Sequence, residues 1–156
     1  MCISHKGIFE LNWWLCNLDS IFNTIRCLPV DVTVYSDASL QGWGAVLNDK
    51  STGGRWLPTE REHDINYLEL LAAFFAPQCF HPGLSNKHVK VMIDNTSAVA
   101  QINNMGTCHN EECNSLVVQI WEFCISHNIP WVTAAHIPGS SNLTADGESR
   151  HFHSQD

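Results

Sequence analysis

Positive charge is what this chain has least of. Eight Lys and Arg stand against sixteen Asp and Glu in 156 residues, a formal charge of −8, and the eight form no basic stripe. Phosphate contacts supply most non-specific affinity for polynucleotides. The chain alone should therefore hold one weakly unless metal ions or another domain contribute positive charge. Long apolar runs are missing too, since none reaches the ~18 residues of a membrane span. The N-terminal stretch lacks both an extended apolar core and a small-residue cleavage site. An intracellular protein, cytoplasmic or nuclear and free of membrane, is expected. Without a secretory signal, the glycosylation patterns Asn95-Thr96-Ser97 and Asn142-Leu143-Thr144 read as coincidence. Seven cysteines make an odd count with no framework spacing, so free, mostly buried thiols are expected. Cys108, His109 and Cys113 find no second Cys/His pair at finger or knuckle spacing, which argues against structural zinc. No Asp-Thr/Ser-Gly triplet occurs, which excludes an aspartic protease. Internal repeats and low-complexity segments are absent as well.

What is present describes one globular domain, with 44% apolar and 15% charged residues. Residues 1–29 carry a helical apolar pattern (Ile8, Leu11, Trp14, Leu15, Leu18, Ile21, Phe22, Ile25) that stops at Pro29. This lead-in segment should pack on the domain or on an upstream one. From Val30 the period becomes two, and Val30, Val32 and Val34 lead to Asp37. A second strand spans Gly42–Leu47, a turn runs from Asn48 to Gly54, and a third strand begins at Arg55. Asp64 or Asn66 caps a helix through Phe75 that Pro77 should kink or end. A strand at Val89–Asp94 follows, then a helix from Thr96 to about Met105 closed by Gly106. A longer helix from about Glu111 to His127, a strand at Ile129–Ile137 and a last short helix near Asn142 complete residues 30–150, leaving 151–156 as a tail. The order β-β-β-α-β-α-α-β-α implies a mixed five-stranded sheet with helices on its faces.

Four acidic residues sit where ordinary surface carboxylates should not. Asp37 ends V-T-V-Y-S-D, and Glu69 lies inside I-N-Y-L-E-L-L-A-A-F-F. Asp94 ends V-K-V-M-I-D, and Asp146 follows H-I-P-G-S-S-N-L-T-A. Burying an unpaired carboxylate costs several kcal/mol, so a converging cluster implies cations that offset the charge. Such a hard, all-oxygen donor set suits Mg²⁺ or Mn²⁺. Asp37 and Asp94 both end strands, where sites in α/β sheets gather. Glu69 taken alone is an ordinary solvated glutamate. Beside Asp37 and Asp94, the ligand reading is preferred.

The spacing His136-x5-Asn142-x3-Asp146 resembles the terminal motif of type-1 ribonucleases H, including those of retroviral and retrotransposon reverse transcriptases. S-D-A-S, L-E-L-L and I-D-N-T supply the other three carboxylates in that family's order. Longer phrases, among them Y-S-D-A-S-L-Q-G-W-G-A-V-L and H-I-P-G-S-S-N-L-T-A-D-G-E-S-R, resemble the ribonuclease H region of DIRS-like retrotransposon polyproteins. The resemblance covers residues 30–150, and Trp13-Trp14 resembles the segment joining polymerase to ribonuclease H in such elements.

The resemblance implies a ribonuclease H-like α/β fold, with three antiparallel strands, then two parallel ones, and helices on both faces. It implies an enzyme that hydrolyses the RNA strand of RNA–DNA hybrids, leaves 5′-phosphates and uses two Mg²⁺ ions (Mn²⁺ as the substitute) about 4 Å apart. Asp37 would bridge the ions, Glu69 and Asp94 would complete one shell, and Asp146 the other. His136, on a mobile loop, would assist proton transfer or product departure. Ser39, Asn95 and the backbone near Gly42 stand close to the ligands and would meet the 2′-OH, with Gln101 and Asn104 as less direct candidates. Asn142 is a substrate-side candidate better suited to fixing the loop or capping the last helix. Trp43 reads as core before minor-groove contact. The partners implied are the hybrid and a reverse transcriptase polymerase domain, and a monomer is expected.

Departures from the family pattern favour a second reading. Helix 111–127 begins Glu111-Glu112 and contains no Lys or Arg, where many cellular members carry a basic handle. Polymerase motifs are absent, so the chain reads as a fragment of a polyprotein or a truncated copy. The alternative is a catalytically weak or inactive remnant that acts as a structural or interaction module. Another nuclease or transposase of the same fold is disfavoured by the His136–Asp146 spacing.

Overall fold

Alternating β-branched residues build the sheet. A computed structural model of the chain describes residues 2–21 and 28–150. Strands β1 (Val32–Ala38), β2 (Gly42–Leu47), β3 (Lys50–Arg55), β4 (His88–Ile93) and β5 (Trp131–His136) lie in the order β3-β2-β1-β4-β5. The first three pair antiparallel, and β4 and β5 add in parallel. Val34, Val89, Val91 and Ile93 point to one face and are buried there. Helices α2 (Ile65–Phe80), α3 (Thr96–Asn103) and α4 (Glu111–Ser126) close the core, with Leu68, Leu70, Ile102, Leu116 and Val117 inside it. Helix α5 (Leu143–Arg150) covers β1, β2 and β3 from the other face. Adjacent residues of β2 show the two sides. The Trp43 ring meets Phe75 of α2 at 5.3 Å, while a Cβ on Gly44 would strike the backbone of Ala145 and Ser149 in α5. The expected mixed sheet with helices on both faces is present, and Trp43 is half-buried and packs against the core.

Several boundaries differ from expectation. The third strand is Lys50–Arg55, inside the stretch expected to be a turn, and the turn itself is only Asn48-Asp49 with Asn48 at φ 54°. Its glycines hid it. A Cβ on Gly53 would meet the carbonyl oxygens of Trp43 and Glu148 of α5, and one on Gly54 would press on the Trp43 ring, so one glycine admits the helix and the other the tryptophan. Helix α2 is capped by Asp64, whose Oδ1 accepts from Tyr67 N at 3.0 Å, and it runs through Pro77 to Phe80. The proline stands in the last turn and is buried, so the single lost hydrogen bond does not end the helix. Cysteines 2, 16, 79 and 108 are exposed and only Cys113 and Cys124 are buried, contrary to a mostly buried set. Cys27 lies outside the described residues.

The lead-in forms helix α1 (His5–Asn17), capped by Ser4, and no residue of it is buried. The part of its pattern at 22–27, and the tail 151–156, lie outside the described residues. Among the described residues no helix is long and apolar enough to cross a membrane. The close approach at Gly44 yields a test. Gly44→Ala should destabilise the domain by about 1–3 kcal/mol in urea unfolding, because α5 must shift. Gly147→Ala, where the added Cβ meets nothing within 4 Å, should be neutral or stabilising.

Candidate metal centre

Parallel pairing of β1 and β4 builds the site. Val32 pairs with Val89 and Tyr35 with Met92, so Asp37 and Asp94 stand level, each two residues beyond the last pair. Glu69 comes to the same edge from α2, where it is 3% exposed among Leu68, Leu70 and Leu71. Asp37 is 2% exposed. One carboxylate oxygen from each of Asp37, Glu69 and Asp94 lies within 4.8 Å of the other two. The loop after β5 passes over them, close enough that a Cβ on Gly139 would stand 3.0 Å from Asp94 Oδ2.

Three carboxyls this close cannot all carry charge in a buried setting. Burial, then the charges of Asp94 and Asp37, push Glu69 up to about 9, against a smaller opposing contribution from the Ala38 N–H. Burial also raises Asp37 to about 6; the Ser149 hydroxyl opposes the shift, while Asp94 and Asp146 add to it. Glu69 Oε2 is buried with no hydrogen-bond partner. An orphaned acceptor beside two more carboxylates is the donor set a hard divalent cation requires, so the residues fit Mg²⁺ or Mn²⁺.

Asp146 stands apart from that trio. It lies in the first turn of α5, partly exposed, and Arg150 Nε donates to its Oδ1 at 2.6 Å. Its charge nevertheless acts on Asp37. The helix that carries it is anchored by Asn142, 3% exposed, whose Nδ2 donates to Ser36 O of β1 at 3.0 Å. Asn142 O accepts from Asp146 N at 3.0 Å. Asn142 thus anchors the start of α5 to β1, the loop-fixing role expected of it.

The remaining candidates divide. His136 is exposed but is the last residue of β5, paired with Ile93, and not part of a loop; the loop begins after it. Asn95 caps α3 through Ala98 N at 2.9 Å, and its Nδ2 donates to Asn66 Oδ1 at 2.9 Å, beside Asp94. Ser39 Oγ accepts from Gln41 N and Gly42 N and donates to Ser149 O at 2.8 Å, so it ties the β1–β2 turn to α5. Gln101 lies six residues along α3 from the Asn95 cap, a rise of about 9 Å. Two residues escaped sequence reading. Ser149, fully buried, donates to Asp37 Oδ2 at 2.8 Å, and Asn66 pairs with Asn95. The signal for Ser149 was its place three residues after Asp146, on the same helical face.

No protein-family model matches the chain, and no curated protein does. Solved structures do match. LC11-RNase H1, isolated from compost by a metagenomic approach and solved in complex with RNA/DNA hybrid, matches with a TM-score of 0.58 at 20% identity, over 74% of this chain and 91% of its own. RNase H1 of the halophilic archaeon Halobacterium salinarum matches with a TM-score of 0.57 at 17% identity, over 74% and 92%. The foamy viral protease-reverse transcriptase, also solved with RNA/DNA hybrid, matches with a TM-score of 0.54 at 14% identity, over 96% of this chain and 27% of its own. These likenesses show a ribonuclease H-like fold.

The electrostatics make a prediction for protein held in chelator. Asp37 and Glu69 stand at about 6 and about 9 in the folded chain, above the ordinary 3.8 and 4.5. Raised carboxyls contribute stability in full below their unfolded values and lose it as pH rises through the folded ones. Unfolding free energy should therefore fall between pH 5 and pH 9. Glu69→Gln should flatten the upper half of that profile, and an equally steep profile would refute the assignment.

Proposed function

We propose that this chain is a metal-dependent endonuclease that hydrolyses the RNA strand of RNA–DNA hybrids to leave 5′-phosphates, and that it derives from a retrotransposon polyprotein. The observation that carries the reading is the convergence of Asp37, Glu69 and Asp94 around the unpartnered Glu69 Oε2, at the strand ends of a ribonuclease H-like sheet. Asp37, Glu69, Asp94 and Asp146 would hold two Mg²⁺ or Mn²⁺ ions. Bound there, the ions would supply an activated water and charge stabilisation for the leaving 3′ oxygen. His136, exposed at the end of β5 opposite Ile93, would assist proton transfer or product departure. Asn95, joined to Asn66, offers amide groups beside the carboxylates for the 2′-OH that marks the RNA strand. Cations at the trio would also add positive charge to a chain in which it is scarce.

The lead-in segment fits a connection to a polymerase domain. Ile8, Phe9, Leu11, Trp13, Trp14 and Leu15 are all exposed, and α1 borders an apolar groove of about 560 Å³ against Val118 and Ile125 of α4. The foamy viral match takes in more of this chain than the single-domain enzymes do. A remnant that keeps the fold without the activity has one observation in its favour, the engagement of Asp146 by Arg150 away from the trio.

Hybrid cleavage in Mg²⁺ decides between them. Asp94→Asn should lower cleavage by roughly 100-fold or more, the scale on which one preorganised charge-stabilising group acts. Equal cleavage by parent and variant would remove Asp94 from the ligand set. A parent that neither cleaves nor binds Mn²⁺ through its carboxylates, with or without a polymerase domain added, would establish the remnant.

A further inference from the structure

Ser149 is the buried polar side chain of α5 for which the proposed chemistry has no role. It is 0% exposed, with Oγ 2.8 Å from Asp37 Oδ2 and 2.9 Å from Asp146 O. A hydroxyl has one proton to give, so it serves one of these acceptors at a time. Back-bonding to the carbonyl three residues earlier is the ordinary behaviour of a helical serine and weakens a helix slightly. An ionised carboxylate is the stronger acceptor and takes the proton. The backbone around Ser149 is also fixed. Ser39 Oγ donates to Ser149 O at 2.8 Å, and Ser149 N lies against the bare Cα of Gly44. The hydroxyl is thus delivered to Asp37 from a rigid platform. Were helix stability the only demand, alanine would serve better at this position.

We infer that Ser149 is a positioning residue for Asp37: it holds Oδ2 and leaves Oδ1 as the ligand atom toward a divalent cation. The inference rests on the metal-centre reading above. It explains why one carboxylate of the trio has a dedicated hydrogen-bond donor on the opposite face of the sheet while Glu69 Oε2 has none. It also couples the docking of α5, which carries Asp146, to the orientation of Asp37 on β1.

Mn²⁺ titration calorimetry on the full chain tests it, with thermal unfolding in chelator as the second readout. Ser149→Ala should melt close to the parent and bind Mn²⁺ about tenfold more weakly, the scale on which groups that orient metal ligands act. Ser149→Thr, which restores a hydroxyl, should recover most of that loss. Ser149→Cys, near in size and a weak donor, should behave as Ala does and stands in for Ala should Ala fail to fold. Ser51→Ala removes a different tie between sheet and α5, the 2.9 Å bond to Glu148, and should leave Mn²⁺ affinity unchanged. Parent-like affinity in folded Ser149→Ala or Ser149→Cys would overturn the inference and leave the metal centre standing. Absence of Mn²⁺ binding by the parent would overturn both.

Discussion

The structure depends on one electrostatic constraint: three carboxyls, two of them almost wholly buried, share a space 4.8 Å across at the ends of parallel strands. Burial, with the neighbouring negative charges, pushes Glu69 up to about 9 and Asp37 to about 6. A protonated buried acid is a poor use of core volume. Hydrophobic residues of the same size would stabilise the sheet more, since buried ionisable groups seldom improve on apolar packing. The fold gives up stability here, and what it gains is a concentrated set of oxygen ligands on rigid elements.

Rigidity is what gives that concentration its chemical meaning. Asp37 and Asp94 are held level by the register of β1 and β4. Glu69 is fixed by the packing of α2, itself locked by Trp43 and Trp56 against Phe75. Asn103 reaches across from α3 and makes two 2.8 Å bonds to Ala134, bracing β5 where its edge would otherwise be open. None of these contacts touches a ligand atom. Together they keep a repulsive trio from relaxing apart.

Much of this was legible in residues. Valine alternation placed β1 and β4, and the polar ends of those strands placed Asp37 and Asp94. Glu69 was legible because its neighbours were all apolar. β3 was not, because Lys-Ser-Thr-Gly-Gly-Arg carries turn chemistry and Gly53 answers to α5, an element nearly a hundred residues away in the chain. Pro77 misled for a related reason: local propensity prices a proline in mid-helix, and here it stands in a last turn buried by tertiary packing. Ser39 stands next to the ligands in sequence and its hydroxyl bonds backbone groups, while Ser149 stands far from Asp37 in sequence and touches it. Sequence proximity ranks candidates by distance along the chain, whereas hydroxyls are spent by distance in space.

Helix α5 shows how the last ligand comes to depend on everything before it. The eight described residues of α5 are too few to be helical alone, since isolated helices shorter than ~12–15 residues are marginal in water. Its order must come from docking, and the docking contacts are specific. Asn142 ties its start to Ser36, Ser39 ties its end to the β1–β2 turn, and Ser51 bonds Glu148 from the edge strand. Bare backbone at Gly44 and Gly53 lets the helix approach the sheet more closely than any side chain would allow. Asp146 therefore has a place only when α5 is seated. Seating also brings the Ser149 hydroxyl to Asp37, so two of the four carboxylates are arranged by one docking event. The trio from strands and α2 is built into the core, whereas the fourth carboxylate is attached to it through hydrogen bonds and missing Cβ atoms. That difference in construction matches their surroundings: Asp37 and Glu69 are buried within the fold, while Asp146 stands partly exposed beside Arg150.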